Sequence, residues 1–193
     1  MMRICRLLCW AGFIAISSTA ALAQSGCDTG TYSVVQSDDG TALSVLFDAF
    51  TVQADGGVGK ATTQIRCELH IPLHLREGFS LGVYRVDYRG FAHLPAKQSS
   101  SELTVNYGLG SDQRGRRFQR KVNGQYDADF LFTENIGAGL MKRAGCGDAA
   151  VLNVSIMLAL NTQPSSEAVA GLDSSDGAPK GGLIYHLDTK KCH

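Results

Sequence analysis

The sequence predicts an all-β domain, specifically an antiparallel two-sheet β-sandwich of about nine strands stapled by two disulfides. Apolar residues recur at every second position in run after run, as half-buried strands require. Gly, Asn and Asp punctuate those runs at short intervals. Four cysteines remain once an export signal is removed, an even count suited to bridging. A closed barrel is the alternative arrangement of the same strands. The 193 residues suffice for one domain, and a composition 44% hydrophobic and 19% charged excludes disordered and collagen-like chains. Equal numbers of basic and acidic residues, 18 of each, argue against a globally basic nucleic-acid binder.

Residues 1–23 read as a cleaved secretory signal. Arg3 and Arg6 precede an apolar stretch over 7–16, and Ala21-Leu22-Ala23 supplies the small residues before Gln24. The stretch is shorter than the roughly 20 residues that span a bilayer, so no transmembrane segment is expected after cleavage. A retained anchor, or a lipoprotein-type cleavage before Cys27, is the alternative. Cleavage removes two of the basic residues and no acidic ones, leaving a net charge of about −2. It also removes Cys5 and Cys9 and leaves Cys27, Cys67, Cys146 and Cys192, which an oxidising compartment would join. Of the three possible connectivities, Cys27–Cys67 with Cys146–Cys192 is favoured because each pair brackets a compact set of strands. No tight Cys/His cluster suggests zinc.

Residues 24–193 then read as a single domain. Its strands fall at 32–35, 43–52, 65–75, 79–91, 103–109, 118–126, 130–132, 151–160 and 183–187. In 65–75 the odd positions from Ile65 to Leu75 are apolar and the even ones from Arg66 to His74 polar, with Pro72 marking an edge or a bulge. In 79–88 the apolar set changes parity from Phe79, Leu81 and Val83 to Tyr84, Val86 and Tyr88, so a bulge is expected near Val83. Residues 138–144 hold at most one turn of helix. Mobile loops are expected near 111–123 and 163–182.

Four blocks carry a family resemblance: Cys27 with residues 43–50; Cys67-Glu68-Leu69-His70-Ile71-Pro72; Gly78-Phe79 through Asp87-Tyr88-Arg89-Gly90-Phe91-Ala92; and Cys146-Gly147 with Leu152-Asn153-Val154. Together they resemble the secreted-protein family catalogued as domain of unknown function 4360. The resemblance implies a small exported β-rich domain and transfers no activity. The segment before Cys146 lacks the tryptophan associated with that block, and residues 111–123 and 163–182 match none of the family's blocks.

The candidate sites are few. Asp48 interrupts apolar neighbours, so its carboxylate is expected near the core with Arg89 as counter-ion and Tyr88 as hydroxyl donor. The pair reads as a polar clamp fixing strand register, or as a ligand-binding acid and base in a groove. Arg114, Arg116, Arg117, Arg120 and Lys121 form a basic cluster around Phe118 that would attract an anionic glycan or envelope component. The bland reading of the same cluster is a solvated loop. Gly78-Phe79-Ser80-Leu81-Gly82 spells a nucleophile elbow, but strand continues where that motif needs a helix. His70 and His74 share a face yet sit about 13 Å apart on a strand, too far for one metal ion. His186 and His193 have no evident partner. Residues 173–177 have calcium-like oxygens without the closing Glu, and Asn153-Val154-Ser155 matches a glycosylation acceptor. No cofactor, metal or catalytic residue is expected. The reading is an exported, non-catalytic binding module for a polysaccharide or protein. A structural envelope protein, and a hydrolase using Asp48 and Arg89, are the alternatives.

Overall fold

A computed structural model describes residues 24–57, 61–111, 115–137, 142–147, 149–172 and 181–192. The expected signal, Arg114, the calcium-like segment 173–177 and His193 lie outside these residues. Every regular element described is a strand: β1 (Gln24–Ser25), β2 (Tyr32–Gln36), β3 (Ala42–Phe47), β4 (Thr51–Asp55), β5 (Ala61–Pro72), β6 (Phe79–Leu94) and β7 (Ser100–Leu109) in the first half. In the second half come β8 (Arg116–Asn123), β9 (Tyr126–Asn135), β10 (Ala144–Gly145), β11 (Val151–Thr162), β12 (Glu167–Gly171) and β13 (Gly182–Lys191).

These strands build the expected sandwich. One sheet has the order β1-β5-β11-β7-β8. The other is organised on β6, which pairs with β13 along Phe79–Arg89 and then with β12 along Phe91–His93. β9 and β10 pair with the opposite edge of β6, β2 and β3 extend beyond β13, and β4 extends beyond β12. Pairing is antiparallel except for the short β1–β5 contact.

The period-two pattern buries one face of each sheet. Ile65, Cys67, Leu69 and Ile71 of β5, with Leu73 just beyond it, line up with Leu152, Val154, Ile156, Leu158 and Leu160 of β11, all under 9% exposed. Across the gap they meet Leu43, Val45 and Phe47 of β3, Val86 and Tyr88 of β6, and Leu183, Tyr185 and Leu187 of β13. Each such side chain contributes about 1.5–3 kcal/mol by leaving water, so the alternation itself drives the two sheets together. The parity change in β6 is a bulge: the register with β13 slips between His186 and Leu187, leaving Tyr84 unopposed and 48% exposed while Val83 and Val86 both point inward. Leu73 donates its amide to Ala150 of the β11 approach. Alternation therefore turns the donor-less nitrogen of Pro72 toward the outer edge, where no ladder bond is lost.

The disulfides are Cys27–Cys67 and Cys146–Cys192, closing separations of 40 and 46 residues. Loop-closure entropy assigns each about 4 kcal/mol. The second fastens the chain end: Cys192 and Cys146 donate their amides to the carbonyls of Gly78 and Phe79 at the start of β6.

Three expectations change. The described residues form thirteen strands because β1, β10 and β12 are added and 43–52 divides into β3 and β4. The stretch 111–123 is a strand from Arg116 onward, and 163–182 contains β12, which inserts Ala168 and Ala170 into the core. Of the stretch 138–144, residues 138–141 lie outside the described residues, and Ala144 pairs with Leu81 as part of β10.

Candidate functional site

The clamp expected at Asp48 forms elsewhere. Asp48 is exposed in the turn after β3, where its amide donates to the Thr31 carbonyl. Arg89 is half-buried in β6, opposite Gly182 on one side and Leu131 on the other. Tyr88 does donate its hydroxyl to a carboxylate, but the acceptor is Glu134 of β9 at 2.9 Å. Tyr107 of β7 donates to the same Glu134 oxygen at 2.8 Å, and Arg116 of β8 reaches the other oxygen at 3.1 Å. This network joins both sheets through the core. Burial, strengthened by the neighbouring tyrosines and by Glu134, pushes the Tyr88 phenol far above its ordinary range, and burial and Glu134 do the same to Tyr107. Tyr185, packed edge-on against Tyr107 at 5.6 Å, is fully buried and likewise shifted upward, and its hydroxyl has no hydrogen-bond partner among the described residues.

The buried aspartate is Asp87, one residue before Tyr88. Its carboxylate accepts from Arg85 at 2.8 and 3.0 Å, from Thr133 at 2.7 Å, and faces His186 Nε2 at 2.9 Å. Burial alone would raise its pKa, but the hydrogen bonds from Thr133, His186 and Arg85 outweigh it and hold the carboxyl below its usual range. His186 thus has a partner that sequence separation concealed. Ser80 is equally committed: its hydroxyl accepts from Arg143 Nε at 3.0 Å and donates to the Lys190 carbonyl. Arg143 also donates to the Ser80 and Asp188 carbonyls and to the Asp188 carboxylate, so Ser80 sits in a guanidinium anchor inside a continuing strand, not on an elbow.

The basic cluster is divided by the pleat of β8. Arg116 turns inward to Glu134, and Arg120 lies over the Phe118 ring at 5.2 Å. Arg117 and Lys121 face outward: Arg117 lies opposite Asn106 and Lys121 opposite Glu102, both on the outer face of the five-stranded sheet. That face carries a cleft of about 460 Å³ lined by Glu68 and His70 of β5, Asn106 and Gly108 of β7, Asn153 and Ser155 of β11, and the turn residues Gly110, Ser111 and Gly115. Its polar groups are already oriented. Ser155 donates to Glu68 at 2.6 Å, His70 Nδ1 meets the Asn153 amide oxygen at 2.7 Å, and the Asn153 nitrogen donates to the Gly110 carbonyl at 3.0 Å. The bare floor is enforced at Gly115, where φ is +47° and an added Cβ would stand 2.4 Å from the Tyr107 carbonyl oxygen. His74 stands at the sandwich side, where the Gln36 amide both donates to its carbonyl and accepts from its amide, and it lines with His70 a second concavity of about 320 Å³. Among the described residues no group of three His, Cys, Asp or Glu is placed to hold a metal ion.

The block Tyr88-Arg89-Gly90-Phe91-Ala92 takes its pattern from packing. Tyr88 crosses the core, Ala92 is 1% exposed, and a Cβ on Gly90 would collide with the Gly171 carbonyl and the Phe130 ring. A family model described as Domain of unknown function (DUF4360) matches residues 14–192. The chain belongs to this family. A relative in Arthroderma benhamiae (strain ATCC MYA-4681 / CBS 112371), described as an uncharacterized secreted protein, is 27% identical over 169 residues, covering 87% of this chain and 68% of its own length. In this DUF4360 domain the inward residues of the family blocks build the core and the disulfides, while Glu68, His70 and Asn153 of the same blocks face outward and line the cleft.

Proposed function

We propose that this DUF4360 protein is an exported binding module that holds an acidic polysaccharide along the outer face of its five-stranded sheet. The observation that carries this reading is the cleft of about 460 Å³ whose amide, hydroxyl, carboxylate and imidazole groups are pre-oriented beside the outward cation Arg117. Sugars are recognised by such groups, which match their hydroxyls in pairs. Groups already held by one another lose little entropy when the ligand arrives. Arg117 would add a salt-screened attraction for carboxylate or sulfate. Export is supported by the two disulfides, which persist in oxidising compartments, and by the description of the fungal relative as secreted. A binding role is favoured over glycoside hydrolysis because that chemistry uses a pair of carboxyl groups, and Glu68 is the cleft's sole carboxylate among its described lining residues.

The test is affinity electrophoresis and calorimetry of the mature, oxidised chain against polygalacturonate, alginate and heparin, with neutral β-glucan and chitin as controls. Binding to an acidic polymer that weakens with salt and drops at least tenfold in Arg117→Ser and Asn153→Ala supports the reading. Binding unaffected by both substitutions, no binding to any acidic polymer, or release of new reducing ends from one of them overturns it.

A further inference from the structure

The two long sides of the sandwich are finished differently. On the side of β2 and β5, where β2 also pairs with β3 alone and β4 with β12 alone among the described strands, the edges are tied by other links: Gln36 bridges to the His74 backbone, β1 covers part of β5, and Cys27 is bonded to Cys67. On the other side β8 pairs with β7 alone and β9 with β6 alone among the described strands. Each presents an open row of backbone donors and acceptors, the feature that most readily pairs with a further strand. Leu131, at the middle of β9, is 58% exposed.

These two open edges carry opposite charge. The outward positions of β8 include Arg117 and Lys121, and those of β9 include Asp127 and Asp129. They are also level with one another. Across the core Arg116 bonds Glu134 and the Phe118 ring lies 6.3 Å from Phe132, so residue numbers at one height sum to 250. Lys121 is therefore level with Asp129, Gln119 with Leu131, and Arg117 with Thr133.

We infer that a second copy of this chain docks on this side by a two-fold rotation about an axis parallel to the strands. Such a rotation exchanges the two layers while keeping height and strand direction. It lays β8 of each copy antiparallel beside β9 of the other, twice, and both sheets run unbroken through the dimer. Lys121 then faces the partner's Asp129, with the partner's Asp127 diagonally within reach. Asp127 also meets His93 at 3.0 Å, and Glu102, on the inner flank of Lys121, accepts from Gln119. The competing two-fold, perpendicular to the strands, would set β8 against β8 and β9 against β9, like charge on like charge. Charge therefore selects the first arrangement, and its closure into a pair prevents an open fibre.

The experiment is light scattering coupled to gel filtration on the mature, oxidised chain and three variants: Lys121→Glu, Asp129→Lys and the double exchange. The wild type is expected at twice the monomer mass, each single reversal to raise the dimer dissociation constant at least tenfold, and the double exchange to restore the dimer. Circular dichroism confirms that each variant is folded, and a misfolded single variant leaves the double exchange as the deciding comparison. Oxidising Gln119→Cys/Leu131→Cys adds an independent readout. These positions lie on opposite outer faces within one chain, so bridging them requires the partner and yields a covalent dimer. A wild-type chain that stays monomeric up to about 1 mM, a dimer indifferent to the charge reversals, or failure of the cysteine pair to cross-link overturns the inference.

Discussion

Replacing Glu134 with Ala tests whether the two sheets are joined by the carboxylate in their core. The substitution removes the acceptor of the Tyr88 and Tyr107 hydroxyls, at 2.9 and 2.8 Å, and the partner of Arg116 at 3.1 Å. A buried hydroxyl left without a partner costs about 1–3 kcal/mol, and the two rings, 0% and 2% exposed, cannot turn to water. Arg116 is 28% exposed at its side chain and recovers hydration, so its loss adds at most about 1 kcal/mol. Together these terms span about 2–7 kcal/mol, and the middle of that span matches the roughly 3–5 kcal/mol typical of breaking a buried pair from one side. For a domain of this size that lowers Tm by about 6–20 °C. Glu134→Gln keeps one oxygen for the hydroxyls but turns an amide donor toward the Arg116 guanidinium, and should cost about 1–2 kcal/mol. Tyr88→Phe, which keeps the ring stacked on Phe118, should cost about 1 kcal/mol. Urea unfolding with disulfides intact, followed by circular dichroism, gives all three; the chain's single tryptophan, Trp10, lies in the expected signal, so indole fluorescence is no substitute. An Ala variant within about 1 kcal/mol of wild type, or a Phe variant as costly as the Ala variant, would refute the accounting.

The remaining predictions concern the same buried groups. Tyr185→Phe removes a hydroxyl without a hydrogen-bond partner among the described residues and should leave stability unchanged or raise it by up to about 1 kcal/mol; a loss above that in urea unfolding means the hydroxyl is bonded after all. Because Tyr88, Tyr107 and Tyr185 are shifted upward, their stability contribution is complete below pH 10 and is lost as pH rises further. Phenolate absorbance at pH 11 should fall short of the value reached after unfolding in guanidinium, and full ionisation in the folded state would contradict this. Asp87 is shifted downward, so its contribution is present above the ordinary aspartate range and is lost as pH falls through the lowered value. Asp87→Asn should therefore destabilise the protein at pH 7 and flatten the acid limb of its stability curve; parallel curves for the two proteins would exclude Asp87 as the titrating group. Cys146→Ala/Cys192→Ala should cost about 2–5 kcal/mol and release the last strand to hydrogen exchange. Protection at Lys190 and Lys191 equal to wild type would assign that strand's order to the β6 ladder alone.

Period-two alternation was readable because each sheet has one dry face, and it placed the core of β5 residue by residue. The same rule misplaced Asp48 where it was applied too loosely. Across 43–52 the buried set changes from Leu43, Val45 and Phe47 to Phe50 and Val52, a parity switch like the one that located the bulge in β6. Here the switch marks a turn, which brings the Phe47 and Phe50 rings to 4.9 Å and leaves Asp48 outside. Glu134 shares parity with Phe130 and Phe132 and was within reach of the pattern, had the run been carried two residues beyond Phe132. The Asp87–His186 contact spans 99 positions and has no local signature. The cleft is hidden for a related reason. It gathers outward polar residues from three strands, and each of them, taken alone, looks like ordinary solvated surface.

That division between legible core and illegible surface bears on what family membership conveys. The most specific block, Tyr88 to Ala92, is accounted for by packing: a hydroxyl for Glu134, a glycine beneath the Phe130 ring, an alanine under the sheet. Any chain built on this sandwich needs those features whatever it binds. The outward positions Glu68, His70, Asn106, Asn153 and Ser155 carry no comparable packing role, yet Glu68, His70 and Asn153 stand within the family blocks while Asn106 and Ser155 stand outside them. On the proposed binding role, members that differ at Asn106 and Ser155 would differ in the polymer they hold, and exchanging these two residues between members, followed by the same polymer series, tests it.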